Sequence, residues 1–397
     1  MTTSVRTRQL ALAALFFVPG VGMASWVTRT PDVRDLLGAT TAEMGLILFG
    51  LSLGSMIGIL SSGALVARFG ARPITGVGGA LIALSLPTMG LGAAGGAGLA
   101  VAAGLFLFGA GMGAGEVAMN VEGADVEQTT GRSFLPMLHG CFSLGTVVGA
   151  TLGMIATAVR FPVGWHLVLA GIAAAIAVVL SVPRLPAHTG RAEARAADGI
   201  RSPRSALWKD SRLLLIGFIL LAMALAEGTA NDWLPLVMVD GHGFDPALGS
   251  LVFAVFAAAM TIGRFAGGWF IDRFGRPAVL CASAVFAAVG LVLVIFVDNQ
   301  VVAGAAVVLW GLGASLGFPV AISAAGDSGP DPAARVSLVA TAGYVAFLVG
   351  PPALGFGGEE FGLRNALLIP LVFVIGAAIA SAILGARSRE PELTATS

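Results

Sequence analysis

The sequence predicts an all-α membrane protein, with twelve transmembrane helices arranged as two six-helix pseudo-repeats. Two observations carry that expectation. Hydrophobic residues make up 57% of the 397-residue chain and charged residues 11%, with a mean hydropathy of +0.92. Soluble domains carry about a quarter charged residues. The chain also repeats itself: G-A-L-V-A-R-F-G-A-R-P at Gly63–Pro73 returns as G-W-F-I-D-R-F-G-R-P at Gly268–Pro277. Gly63, Arg68, Phe69 and Gly70 are matched 205 positions later by Gly268, Arg273, Phe274 and Gly275.

Crossing a bilayer takes about 20 apolar residues. Such runs fall at roughly 10–30, 43–66, 74–94, 97–121, 137–158 and 163–182, then at roughly 213–239, 247–271, 278–298, 301–324, 336–357 and 363–385. The expected organisation is an N-terminal bundle over 1–182, a linker over 183–212 and a C-terminal bundle with a short tail over 213–397. Arg6 and Arg8 precede a first run too long for a cleaved leader, so an uncleaved first span is expected.

An even number of spans puts both termini on the side of the linker. Eighteen Lys and Arg residues then fall on that side: Arg6, Arg8, Arg68, Arg72, Arg132, Arg184, Arg191, Arg195, Arg201, Arg204, Lys209, Arg212, Arg264, Arg273, Arg276, Arg335, Arg387 and Arg389. Four fall opposite: Arg29, Arg34, Arg160 and Arg364. The positive-inside rule makes the linker side cytoplasmic and the protein a multi-pass inner-membrane protein.

The fourth and tenth spans repeat the duplication. Gly109, Gly111 and Gly115 correspond to Gly311, Gly313 and Gly317 at an offset of 202, and Asp125 to Asp327. Small residues at this spacing let helices approach closely in lipid. Within the second repeated loop, Gly268 reads as a site of close helix approach and Gly275 as a tight turn, with Gly63 and Gly70 as their matches in the first. Parallel repeats of this kind belong to transporters whose solute site lies near the midplane between the halves.

Composition also excludes functions. Zero formal net charge, with neither a basic arm nor zinc-type spacing, argues against nucleic acid as a partner. The sequence offers no nucleophile–base set and no metal cluster. The Gly109-x-Gly111-x-Gly113-x-Gly115 run lies inside a span rather than after a strand, which removes a phosphate cradle and with it ATP as the energy source. Neither an enzyme nor a cofactor is expected. Cys141 and Cys281 fall in apolar runs and read as small core residues.

Polar residues present in only one half are the functional candidates. At the 202 offset, Glu116 faces Phe318 and Asn120 faces Ile322. The seventh span carries E-G-T-A-N-D-W, with Glu227, Asn231, Asp232 and Trp233, where the first span is small and apolar (Gly20, Ala24, Ser25). A carboxylate at a helix centre costs about 2.5–3.5 kcal/mol on insertion scales, so it faces a cavity or a partner. Glu116, Glu227 and Asp232 are the proton-coupling candidates, and Asn120 and Asn231 the solute-binding amides. Trp310 and Tyr344, near the midplane, offer a flat face and a polar handle to a solute. Trp26 and Trp233 read as belt residues at the outer interface. His139 reads as an interface histidine, and His166, His188 and His242 as peripheral.

The repeated loop resembles the G-x-x-x-D-R-x-G-R-R signature of the major facilitator superfamily. The second copy keeps its acid as Asp272, and the first has Ala67 instead. That resemblance implies the twelve-helix major facilitator fold. It further implies a cytoplasmic gate in which Arg68, Arg72, Arg264, Arg273 and Arg276 meet Glu122, Asp125, Glu127, Asp272 and Asp327. The E-x-x-x-N of the fourth span resembles that of fucose:proton symporter-like permeases, which implies sugar binding and proton transfer at Glu116 and Asn120. The stretch Ala24–Gly45 is similar to bacterial permease-like proteins of unassigned substrate.

The expected function is therefore secondary active transport by alternating access, driven by protons, of a sugar-like or other small polar solute. The expected partners are that solute, protons and lipid, with the chain acting as a monomer. The alternative is proton-driven multidrug efflux. Antiporters of this superfamily carry G-x-x-x-G-P-x-x-G-G in the fifth span, where this chain has Gly145, Gly149, Ala150 and Gly153 without the proline. A receptor on the same fold is a third class, with no residue pointing to it.

Overall fold

The computed structural model describes residues 5–131, 134–191 and 207–394. Arg132, Arg195, Arg201 and Arg204, counted above, lie outside them, as do the side chains of Arg387 and Arg389. Among the described residues, twelve helices are long and apolar enough to cross a membrane: Val5–Val27, Thr41–Phe69, Ala71–Ala94, Gly98–Thr130, Met137–Ala158, Val163–Arg184, Ser211–Gly241, Pro246–Phe274, Arg276–Phe296, Gln300–Gly326, Ala334–Phe361 and Leu363–Ala386.

Each expected span is present, and the differences have local causes. The first helix stops at Val27, and a separate short helix, Thr30–Leu37, follows with Pro31 and Asp32 in its first turn. Proline is pre-set for a helix start, and Asp32 suits its positive end. Gly38, left-handed at φ 58°, closes the short helix. The fourth helix runs on through E-G-A-D-V-E-Q-T-T to Thr130. Its 33 residues extend about 50 Å at 1.5 Å per residue, against a hydrocarbon thickness of about 30 Å. Hydropathy reads the apolar part and misses the polar extension.

The chain divides into two compact units, one of residues 1–196 with 244–257 and one of residues 197–243 with 258–397. In the first, the fourth span packs on the second and third, the fifth on the first, and the sixth on the third. In the second, the ninth packs on the tenth, the eleventh on the seventh, and the twelfth on the ninth and seventh. The matching pairs reflect the duplication. The seventh span is the most enclosed of the twelve, with 72% of its apolar window buried.

Glycines make the closest contacts. A Cβ on Gly54 would lie 2.1 Å from the Phe106 carbonyl, one on Gly109 2.1 Å from the Leu51 carbonyl, and one on Gly113 2.6 Å from the Ser55 carbonyl. The second and fourth helices therefore touch backbone to backbone. The eighth span carries Val255 and Ala259 where the second has Gly50 and Gly54. There, Gly263 and Gly267 meet the side chains of Ser315 and Leu316 instead. Gly70 and Gly275 turn the repeated loops at φ 91° and 77°. Gly63 and Gly268 correct the sequence reading: a Cβ on either would have nothing within 4 Å, so neither allows a close helix approach.

These contacts predict that Gly54→Ala destabilises the protein by about 1–3 kcal/mol through overpacking. Gly63→Ala should be neutral or slightly stabilising, because alanine is the better helix former. Thermal unfolding of the two detergent-purified variants checks the contrast.

Candidate functional site

The first unit holds a buried charge cluster at the linker-side end of its first and fourth spans. Arg8 Nε donates to Glu122 Oε2 at 3.0 Å, and its Nη2 reaches both that oxygen and the Glu122 backbone carbonyl. Arg8 Nη1 reaches Asp125 at 2.6 Å. Glu122 is fully buried and Asp125 half exposed. The polar extension of the fourth helix brings both acids to Arg8, one turn apart on one face. The sequence comparison assigned them to Arg68 and Arg72. Arg68 is instead exposed, its guanidinium 5.1 Å from the Phe69 ring centroid, and Arg72 is half-buried. Glu127 caps the fifth helix, accepting from the Leu135 amide at 2.9 Å.

The repeated loop of the first unit is closed by the start of the linker. Gly70 offers no side chain to cap the third span, and the Ala71 amide donates to the Thr189 carbonyl at 2.8 Å. Arg191 Nε donates to the Phe69 carbonyl at 3.1 Å.

In the second unit, Arg276 pairs with Asp327, as the resemblance implied, while Asp272 and Arg273 are exposed. Sequence reading missed a further clasp. Asp210 caps the seventh helix, accepting from the Arg212 and Leu213 amides at 3.0 and 3.2 Å, and takes Arg335 Nη2 at 2.7 Å. Arg335 also holds Ser328 Oγ and the Pro330 carbonyl. Partial burial alone would raise the Asp210 carboxyl, but the Arg335 hydrogen bond, the helix amides and the Arg335 charge outweigh it and hold it below its ordinary value. An Asp just before a long apolar run was the available signal.

Inside the spans, the structure moves Arg264. Placed with the gate by sequence, it instead donates through Nη2 to Glu227 Oε1 at 2.8 Å. Asp232, just over one turn beyond Glu227, is 7% exposed. Asn231 is half-buried on the same helix. In the fourth span Glu116 and Asn120 are both half-buried, and the Asn120 side-chain oxygen is out of solvent with no hydrogen bond.

The aromatic expectations need correction. Trp310 is completely buried, and its indole N–H donates to the Ala226 carbonyl at 3.2 Å. Its ring is a packing element that pins the turn carrying Glu227 and offers no face to a solute. Tyr344 is half-buried. Trp26 and Trp233, expected in an interfacial belt, are each 1% exposed. Trp165, Trp208 and Trp269 are the exposed ones. His139 packs edge-on against Phe16 at 5.3 Å.

Three of the four arginines counted opposite the linker, Arg29, Arg34 and Arg364, pair with an acid. Arg29 is 3% exposed, with Nε 2.9 Å from Asp32 and Nη2 donating to the Phe161 carbonyl at 2.6 Å. Burial lowers the Arg29 guanidinium and raises the Asp32 carboxyl, and each moderates the other. Arg34 pairs with Asp35 and Arg364 with Asp298. The Arg364 hydrogen bond holds Asp298 below its ordinary value, whereas burial, helped by Arg364, lowers His242. His242 is not peripheral, because its Nε2 lies 2.9 Å from the Val294 carbonyl.

Among known proteins, the family profile described as Major Facilitator Superfamily matches residues 10–337. An uncharacterised MFS-type transporter of Yersinia pestis is 32% identical over 95% of this chain and 96% of its own length. An uncharacterised transporter of Sinorhizobium fredii is 30% identical over 94% and 97%. Membrane protein MosC of Rhizobium meliloti is 27% identical over 96% and 91%. A mutant of the nucleoside transporter NupG superposes with a TM-score of 0.76 at 17% identity, covering 95% of this chain and 99% of that one. The fucose:proton symporter FucP of E. coli gives 0.66 at 20% identity, covering 97% and 99%. These two likenesses are of fold.

Removing Arg8 strands a fully buried carboxylate, so Arg8→Gln should cost about 3–5 kcal/mol of stability. Arg8→Gln with Glu122→Gln should recover most of it in a double-variant thermal unfolding cycle. Asp210 gives a pH test. Its carboxyl is depressed in the fold, so its stabilisation is present above the unfolded value, near 3.8, and is lost as pH falls through the folded one. Asp210→Asn should melt lower than the parent at neutral pH, and the gap should close under acid conditions.

Proposed function

The chain belongs to the major facilitator superfamily, and from that premise we propose that it is a secondary active transporter that carries a small polar solute together with a proton across the inner membrane by alternating access. The halves 1–182 and 213–397, joined by the linker 183–212, are its moving bodies. Both termini and the linker lie in the cytoplasm, in keeping with the 18 to 4 division of basic residues. It acts as a monomer.

The observation that carries the reading is the set of carboxylates inside spans of a transporter fold. Glu116 lies in the fourth span and Glu227 and Asp232 in the seventh, all buried or half-buried. Acids cost too much in hydrocarbon to be scattered there, and they mark ion and solute paths. Glu116 and Glu227 carry the proton, and the amides of Asn120 and Asn231 contact the solute. Arg276–Asp327 and Arg8–Glu122–Asp125 close the cytoplasmic ends of their bundles.

In this scheme a proton enters from outside onto an in-span carboxylate, the solute binds, and the site becomes exposed inside, where both leave. The sugar-like character expected from the fourth span is supported by the fold shared with a fucose:proton symporter. The fold is also shared with a nucleoside transporter, so a solute screen should begin with sugars and nucleosides.

Glu116→Gln should abolish accumulation driven by a pH gradient in proteoliposomes while leaving counterflow exchange measurable. Accumulation with unchanged pH dependence in that variant would remove Glu116 from coupling. Stimulation of proton efflux by several unrelated lipophilic cations would replace symport with multidrug antiport.

A further inference from the structure

The pairing of Arg264 with Glu227 constrains the charge of the solute. A guanidinium stays protonated at any relevant pH. Among the described residues, Glu227 is the carboxylate within ion-pair distance of Arg264, and the two together are neutral. Both lie several turns inside their helices, Ser211–Gly241 and Pro246–Phe274. The Arg264 side chain is 31% exposed and that of Glu227 13%, so the arginine is the more accessible partner.

Few other charges surround the pair. On its own helix, Asp232 lies just over a turn away. The eleventh span, packed on the seventh, brings Tyr344 near the Phe347 ring that meets Gly228. Asp327, at the end of the tenth span, is held by Arg276. The twelfth span has no charged residue from Leu368 to Ala386. On the eighth, Asp272 and Arg273 belong to the exposed last turn.

If Glu227 takes the transported proton, the pair changes from neutral to a net charge of +1 inside the span. An uncompensated charge there is strongly disfavoured. A neutral solute leaves it uncompensated, whereas a monoanion restores neutrality. The planar fork of a guanidinium matches a carboxylate through two parallel hydrogen bonds, and Glu227 occupies it through one oxygen. We propose that the solute is a small monoanion, a carboxylate, which replaces Glu227 on Arg264 as Glu227 takes up the proton. The proton goes onto the Glu227 carboxylate, the Glu227–Arg264 pair breaks and an Arg264–solute pair forms. Release reverses these exchanges, and one anion crosses with one proton without net charge movement. This rests on the symport reading above, keeps its proton coupling and replaces its sugar-like solute with a carboxylate.

The test is thermal unfolding of the full-length protein in detergent, from neutral to acid pH at constant ionic strength, with lactate, acetate or neutral acetamide. Lactate should stabilise the wild type at acid pH, its apparent affinity falling about tenfold per pH unit once Glu227 is ionised. In Glu227→Gln the affinity should be high and independent of pH, and Glu227→Gln/Arg264→Gln should lose it at least tenfold. Acetamide should do nothing. Equal lactate affinity with and without Arg264, or no lactate effect in Glu227→Gln, overturns the proposal. Should that variant fold poorly, a pH-independent lactate effect in the wild type, or none, does the same. Gradient-driven uptake of a neutral sugar without anion binding would sink this inference and leave symport standing. Lactate binding at Arg264 without any proton movement would sink symport itself.

Discussion

Every ionised group placed in hydrocarbon must find its opposite charge, and that constraint shapes this molecule more than any single hydrophobic contact. Hydrophobicity selects the spans but does not hold one helix against another in lipid, where the alternative surroundings are equally apolar. Close backbone approach through glycine supplies the packing. Paired charges then add specific positions at which one helix registers on another. Arg8 with Glu122 and Asp125 registers the first span on the fourth. Arg264 with Glu227 does the same for the eighth on the seventh, and Arg335 with Asp210 for the eleventh on the seventh.

The duplication is clear in the helices and broken in these pairs. Asp125 and Asp327 occupy equivalent positions, yet one takes a cation from the first span and the other from the start of the ninth. The reason is visible in the residues: where the second loop has Asp272 and Arg276, the first has Ala67 and Ala71. With alanine where the second loop has Arg276, and with Arg68 exposed beside Phe69, the first bundle pairs Asp125 with Arg8 instead. Its third span, capped only by Gly70, borrows the Thr189 carbonyl from the linker. Each half satisfies the same requirement with different side chains.

Much of the fold was legible in the sequence, because length and hydropathy are the properties that a bilayer selects. Twelve spans, the repeat and the positive φ of Gly70 and Gly275 could be read directly. Side-chain partners were another matter. Arg264 was grouped with Asp272 because the two are close in sequence, whereas the structure sets it beside Glu227, 37 residues away. Trp310 was read as a solute platform because it falls near the midplane. Depth along a helix says nothing of which face a residue occupies, and this one faces the seventh span. Asp210 went unnoticed because it stands in a polar linker, where capping acids look like any other charge. The candidate acids themselves were legible, since a carboxylate in an apolar run stands out. Their partners were not.

The central claim is that an in-span carboxylate of this protein exchanges a proton under a physiological gradient. Infrared difference spectroscopy of the reconstituted protein across a pH step reads that event directly, as a protonated carboxyl stretch appearing on acidification. Such a band is expected in the wild type, with its loss or marked reduction in Glu116→Gln or Glu227→Gln. A spectrum without it, or one unchanged in both variants, would contradict proton coupling through these residues.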